Sequence, residues 1–378
     1  VKSSGSLVRD VFIAGTGTYL PGDPVPPERI EEVLGKVTGA PERIQRWIER
    51  TGPVMREILS MERYHYAIDP RTGELTEDNV SMAVKAATRA LAAADLAPGE
   101  VGFIAYGSPH MDQMPTPSVR IQESLGIASC AEVAVHANCS SAYKALHIAH
   151  HMLRSGVYRT ALVLSSNLAS SELRASYFNQ PRLTKEALFL RWFLCDGAGA
   201  VVLDARDGAR GPARLDHTVI ESVGGQRESR MFNQRPAYWM NPRQEFEEAR
   251  HHLLQVFQDQ LSGPDFQEEG RSVFLTGLDR FLKANGIEPG GVRYLQVNLP
   301  SRHIAEALEE ECRDYGFPPS AFYNRLDRLG YSGPPMAFIC LDTILREEGL
   351  DPGDVILSFA LEVSKFMLGG YAATASGP

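Results

Sequence analysis

Leu91–Ile104 reads LAAADLAPGEVGFI, and Leu282–Leu295 reads LKANGIEPGGVRYL, so that Leu91 matches Leu282, Ala93 matches Ala284, Pro98 matches Pro289 and Val101 matches Val292. Each copy closes a run of helical spacing, turns at a proline–glycine pair and enters an apolar run of strand character. A further copy, LREEGLDPGDVILS, starts at Leu345. The first two copies lie about half of the 378 residues apart. Solenoid periods run roughly 20–50 residues, so the repeat predicts two similar α/β halves instead. Alternating helices and strands predict mostly parallel sheets.

The predicted division is a disordered leader at 1–10, an N-terminal half at 11–205 and a C-terminal half at 206–378. Ala175–Arg191 and Gln226–Arg250 interrupt the pattern, the second holding Phe232, Tyr238 and Trp239. Long irregular segments in a compact domain read either as lids or as plain surface excursions. The net charge of −9 and pI near 5.6 argue against nucleic acid, which needs a basic footprint. No run of about 18 apolar residues predicts a membrane span. The five cysteines, at 130, 139, 195, 312 and 340, have no metal-ligand spacing, so reduced thiols, a cytoplasmic location and no metal are expected.

The chemistry centres on Glu132–Leu153, EVAVHANCSSAYKALHIAHHML. A strand reading over Glu132–Ala137 passes through small residues into a helix from Ala142, which puts Cys139 at a helix start. Unpaired N–H groups and the positive end of the helix dipole gather there, and both are expected to lower the thiol pKa. A thiolate attacks a thioester and gives another thioester of similar energy. A small buried cysteine is the plain structural alternative.

This segment resembles the active-site segment of ketoacyl-ACP synthase III, a family of the thiolase superfamily. Gly15–Pro21 (GTGTYLP), Trp47–Gly52 (WIERTG, one residue short), Asp196–Leu203 (DGAGAVVL) and Gly369–Gly370 are similar to further motifs of that family, in the family's order. The resemblance implies an α/β thiolase fold of duplicated five-layer αβαβα architecture, a homodimer, and Cys139 as nucleophile. It also implies an oxyanion site at the backbone N–H groups of Cys139 and of Gly370.

The family's condensing reaction uses a histidine and an asparagine beside the cysteine. The motif that carries the histidine matches Leu295–Asn298 (LQVN), leaving Leu295 in its place; the motif that carries the asparagine matches Leu329–Ser332 (LGYS), leaving Tyr331. Removing one oxyanion donor typically costs about 10²–10³ in rate. Acyl transfer without decarboxylation is therefore the expected chemistry, in secondary metabolism such as antibiotic biosynthesis. The alternatives are a decarboxylative ketosynthase with relocated roles and an inactive partner subunit of a heterodimer.

Tyr331 either donates a hydrogen bond or fills space. His303 and Glu362 are candidate bases; His136 reads better as a hydrogen-bonded core residue. The resemblance implies that Trp47 and Arg50 meet coenzyme A or pantetheine, and that Met114 reaches across a dimer. Acyl-CoA or an acyl carrier protein would be the donor and partner, with its phosphopantetheine as substrate and no resident cofactor. The acyl group and the acceptor are not legible.

Overall fold

The computed structural model describes residues 8–110, 114–233, 241–256 and 263–377. The N-terminal half supplies β1 (Phe12–Tyr19), β2 (Phe103–Ser108), β3 (Ala131–His136), β4 (Thr160–Asn167) and β5 (Gly197–Asp204). The chain continues through β6 (Ala213–Ser222) and two short hairpins, β7 (Met231–Asn233) with β8 (Leu253–Gln255) and β9 (Gln267–Glu268) with β10 (Arg271–Ser272). It ends with β11 (Val292–Val297), β12 (Phe322–Tyr323), β13 (Val355–Glu362) and β14 (Met367–Ala375).

The main sheet runs β12-β11-β13-β14-β6-β1-β5-β4-β2-β3. Its halves have one topology. Within each, the strands taken in chain order lie third, second, fourth, fifth, first, with the second parallel to the third and fourth and the fifth antiparallel to its neighbours. The halves meet through the pairs Phe12–Arg214 and Ile13–Ala213 of β1 and β6. The repeated sequence forms matching units: helix Asn79–Ala93, a turn at Pro98–Glu100 and β2, against helix Val273–Asn285, a turn at Pro289–Gly291 and β11.

Helices Ser141–Arg154 and Met336–Glu347 lie between the halves. The first packs on β2 and β4 of its own half and on β6 and β14 of the other; the second packs on β1 and β5. Burial explains their composition. Every residue from Met336 to Ile344 is buried, as expected for a helix with protein on all sides. Helices Asn79–Ala93 and Val273–Asn285 cover the outer faces, which completes the five layers of the thiolase fold.

One close approach fixes the Cys139 helix. A Cβ on Gly107 of β2 would stand 2.3 Å from the Ser141 carbonyl oxygen, so only glycine lets the helix start settle on the strand. The leader expectation falls mostly on residues outside the described ones, as do Tyr238 and Trp239 of the second irregular segment.

Candidate active site

Cys139 follows β3 by two residues and precedes helix Ser141–Arg154. It opens into a cavity of about 370 Å³. Apolar walls come from helix Glu42–Leu59, from Phe189, Leu190 and Phe193, and from Met231 and Leu253 of the β7–β8 hairpin. Both segments that broke the sequence pattern thus contribute to the wall. The polar lining includes Asn138, Asn167, Asn298 and Tyr331, with His110, Glu172, Ser301 and His303.

The Tyr331 hydroxyl lies 3.5 Å from Cys139 Sγ. Its residue is buried, and burial together with the neighbouring thiol keeps the phenol protonated well above its ordinary range. Glu362, at the end of β13, is also buried; its Oε2 accepts from the Ser140 N–H at 2.9 Å and from the Ser140 hydroxyl at 2.5 Å. The Ser364 hydroxyl donates to its other oxygen.

This arrangement corrects the expected lowering of the thiol pKa. Burial pushes Cys139 up to about 11, the Glu362 charge acts in the same direction, and the Tyr331 hydrogen bond opposes both. The positive end of the helix is there, but an internal carboxylate already faces it. At neutral pH the Cys139 side chain is a thiol.

The second correction concerns Leu295. It is fully buried in the C-terminal core, paired with Phe322 and Leu357 within the sheet. The residue that the end of β11 presents to the cavity is Asn298. Leu295 lies within β11, while Asn298, three residues on and just past the strand's end, is the one that lines the cavity. Asn298 Nδ2 donates to the Gly333 carbonyl at 3.3 Å; Asn167 Nδ2, from the end of β4, donates to the Ser332 carbonyl at 3.0 Å.

Gly370 is the third. It lies within β14, paired with Phe359 on one side and Val219 on the other, so its backbone belongs to the ladder and it is not part of the cavity lining. The stretch of this hairpin that meets the cavity is Leu361 and Val363.

His303 lines the cavity from the exposed start of helix Arg302–Tyr315. His136 is exposed, with Nε2 2.9 Å from the Pro109 carbonyl. Trp47 is half-buried, with ring centroids 5.5 Å from Phe189 and 5.3 Å from Trp192 and the Lys185 ammonium 5.6 Å away. Protein groups already occupy its surroundings, so it packs the segment that walls the cavity. Arg50 is exposed on the same helix. Met114 is 93% exposed. Asp196 is a structural carboxylate; it accepts from the Ala67 N–H at 2.7 Å and from the N–H and hydroxyl of Ser170 at 2.8 and 2.5 Å. Burial still raises it to about 6.

The site is therefore a cysteine at a buried helix start, above a largely apolar cavity in an α/β fold of two like halves. A family profile described as 3-oxoacyl-[acyl-carrier-protein (ACP)] synthase III matches residues 134–224. Among curated relatives, the beta-ketoacyl-[acyl-carrier-protein] synthase III of Rhodospirillum centenum is 28% identical over 92% of this chain and 94% of its own. The 3-oxopimeloyl-[acyl-carrier-protein] synthase of Rhodothermus marinus is 27% identical over 95% and 92%. Similar solved structures are the tetronic acid condensing enzyme AbyA1 (TM-score 0.73, 22% identity, 96% of this chain and 99% of that one) and Aquifex aeolicus 3-oxoacyl-[acyl-carrier-protein] synthase III (0.69, 19%, 96% and 99%); these share the fold. The chain is thus similar to ketoacyl-ACP synthase III proteins over nearly its whole length, and it shares the fold of the solved structures.

Proposed function

We propose that this protein is an acyltransferase that moves an acyl group from a CoA or carrier-protein thioester through Cys139 to an oxygen, nitrogen or sulfur nucleophile, without decarboxylation. The observation that carries this reading is the pair of groups facing the thiol's surroundings. Tyr331 holds its hydroxyl on Sγ, and Asn298 spends one N–H of its amide on the Gly333 carbonyl. An enolate left by decarboxylation needs strong donors at its oxygen, and an asparagine so engaged keeps only one neutral N–H to offer.

In the loading step the Cys139 sulfur forms a bond to the donor's carbonyl carbon as the carbon–sulfur bond to pantetheine breaks. The thiol proton passes through Glu362, the carboxylate held beside Cys139 by Ser140, to the departing pantetheine sulfur. The Cys139 N–H and the Tyr331 hydroxyl serve the carbonyl oxygen. His303, at the cavity wall near solvent, suits a later contact with donor or acceptor. The acyl thioester is a substrate, so no resident cofactor is required.

A second copy of the chain is the proposed partner. β3 ends the main sheet, its outer edge is unpaired among the described residues, and Val133 and Val135 are half-buried there. An exposed edge is a template for another strand. The cysteines are all free, which suits a reducing cytoplasm; among the described residues no helix is long and apolar enough to cross a membrane. A role in secondary metabolism such as antibiotic biosynthesis completes the proposal.

Decarboxylative condensation is the second reading, favoured by the printed names of the relatives, which are synthases and a condensing enzyme. Intact-protein mass spectrometry after incubation with a panel of acyl-thioesters, including a malonyl thioester, separates the two. Acyl mass on wild type and none on Cys139→Ala, with no carbon dioxide released, is the expected result. Carbon dioxide release dependent on Cys139 would replace this reading with the second. An unloaded wild-type chain would sink both.

A further inference from the structure

Cys139 has company at its level of the sheet. β2 lies between β3 and β4 and runs parallel to both. Its last residue, Ser108, pairs with His136, the last of β3. His110 comes two residues after that pair and Cys139 three, on neighbouring strands that lie roughly 4.8 Å apart in any sheet. Glu172 comes from the short helix Ser170–Leu173, just past the end of β4. Thiol, imidazole and carboxylate thus leave the carboxyl ends of three adjacent parallel strands, the end at which open α/β sheets bind their ligands.

All three line the same cavity. His110 Nδ1 stands 3.6 Å from Glu172 Oε1, an ion-pair distance that lets the carboxylate orient the ring and support a positive charge on it. Nε2 is then the nitrogen that can work on a substrate. The His110 N–H donates to Ser108 Oγ at 3.2 Å, and that buried hydroxyl donates to the Ser166 carbonyl of β4 at 2.8 Å, so the chain is tied down just where the histidine leaves the strand. The imidazole side chain is 24% exposed, which leaves it open to a molecule in the cavity.

An acceptor hydroxyl, amine or thiol must lose a proton as it attacks, and Glu362 already accepts from Ser140 and Ser364. Resting on the acyltransferase reading, we infer that His110 is the general base for the acceptor and that Glu172 positions it. β2 holds in its half the place that β11 holds in the other, so the cavity receives an imidazole from one strand end and the Asn298 amide from the equivalent one.

The step balances. The acceptor's oxygen, nitrogen or sulfur bonds to the acyl carbon as its proton passes to His110 Nε2. The carbon–sulfur bond to Cys139 breaks, and the proton moves from the imidazolium to the departing sulfur. The products are the acylated acceptor and the free Cys139 thiol, with His110 neutral again. Glu172 stabilises the imidazolium between the two transfers.

The test separates loading from discharge. Wild type, His110→Ala and His110→Gln are loaded from an acyl-thioester and freed of excess donor, and discharge to 1-butanol and to hydroxylamine is followed by intact mass. Hydroxylamine is a strong neutral nucleophile and needs no enzyme base. Both variants should load within about threefold of wild type, discharge to hydroxylamine equally well, and discharge to 1-butanol at least about a hundredfold more slowly. Glu172→Gln should slow butanol discharge about tenfold in wild type and have no effect in His110→Ala, because a positioning residue has nothing to position once the ring is gone. Butanol discharge from either histidine variant as fast as from wild type overturns the inference. So does a loss of loading as deep as the loss of discharge, or a Glu172→Gln effect undiminished without the imidazole. Failure of wild type to load would instead strike the acyltransferase reading itself, and this inference with it.

Discussion

Cys139 is a neutral thiol at rest because three influences act on one sulfur: burial and the Glu362 charge raise its pKa, and the Tyr331 hydroxyl lowers it. Their signs can be tested separately. Tyr331→Phe removes the stabilising hydrogen bond, so the pKa should rise and alkylation by iodoacetamide at pH 8.5 should slow several-fold, a tenfold change in thiolate fraction being one pKa unit. An unchanged or faster rate would remove the hydroxyl from the thiol's environment. In wild type the alkylation rate should keep climbing about tenfold per pH unit through pH 9, since the thiol titrates near 11. The motif around Cys139 was legible in the sequence, as was the vacancy at Tyr331. The identity of the residue that β11 presents was not, because Leu295 and Asn298 lie three residues apart and only the strand's exact end decides which one meets the cavity.

At the scale of elements, the helix start at Ser140 is held by a strand from the other half of the chain. Glu362 accepts from both the N–H and the hydroxyl of Ser140, so one carboxylate anchors the helix and raises the pKa of the Cys139 thiol. Glu362→Gln keeps an acceptor oxygen and deletes the charge. Alkylation of Cys139 at pH 8 should therefore quicken while acyl transfer slows, if Glu362 carries the proton; a variant faster in both would leave it a structural cap alone. The opposite side of the helix start rests on Gly107. Gly107→Ala drives a methyl toward the Ser141 carbonyl, a clash of the kind that costs about 1–3 kcal/mol. The expected outcome is a lower Tm and at least tenfold slower loading, because the displaced turn carries Cys139. A Tm equal to wild type would show that the strand and helix can separate freely. Sequence periodicity placed this helix and strand correctly; which glycines permit close approach depends on a neighbour far along the chain.

The whole molecule should weaken in mild acid. His150, packed between the halves on Thr218, and His252, against Phe178, are both buried and both lowered to about 3, in each case chiefly by burial. A base with a folded pKa below its unfolded value contributes stability that is complete above about pH 6.5 and is lost as the pH falls toward 3. Asp196, raised to about 6, works the other way, since it takes up its proton more readily when folded. At pH 5 the two imidazoles forfeit about 2 kcal/mol each relative to pH 7, and Asp196 returns about 1 kcal/mol. The net loss should lower Tm by roughly 3 °C for a chain of this size. A Tm that is flat or rising between pH 7 and pH 5 would show that these histidines are solvated.

The sequence alone determined the duplicated α/β plan, because each repeat writes its own helix, turn and strand through local spacing that does not depend on the other half. It also determined the setting of Cys139, since a strand, small residues and a helix follow one another there without a break. The tertiary structure decided the chemistry of that setting. Glu362 reaches Ser140 across 222 positions and Tyr331 reaches Cys139 across 192, and the amides of Asn167 and Asn298 meet neighbouring carbonyls of one loop only when the ends of β4 and β11 are brought to it. Burial and cross-chain charge set a thiol's pKa and a cavity's polarity, and no local pattern of residues encodes either.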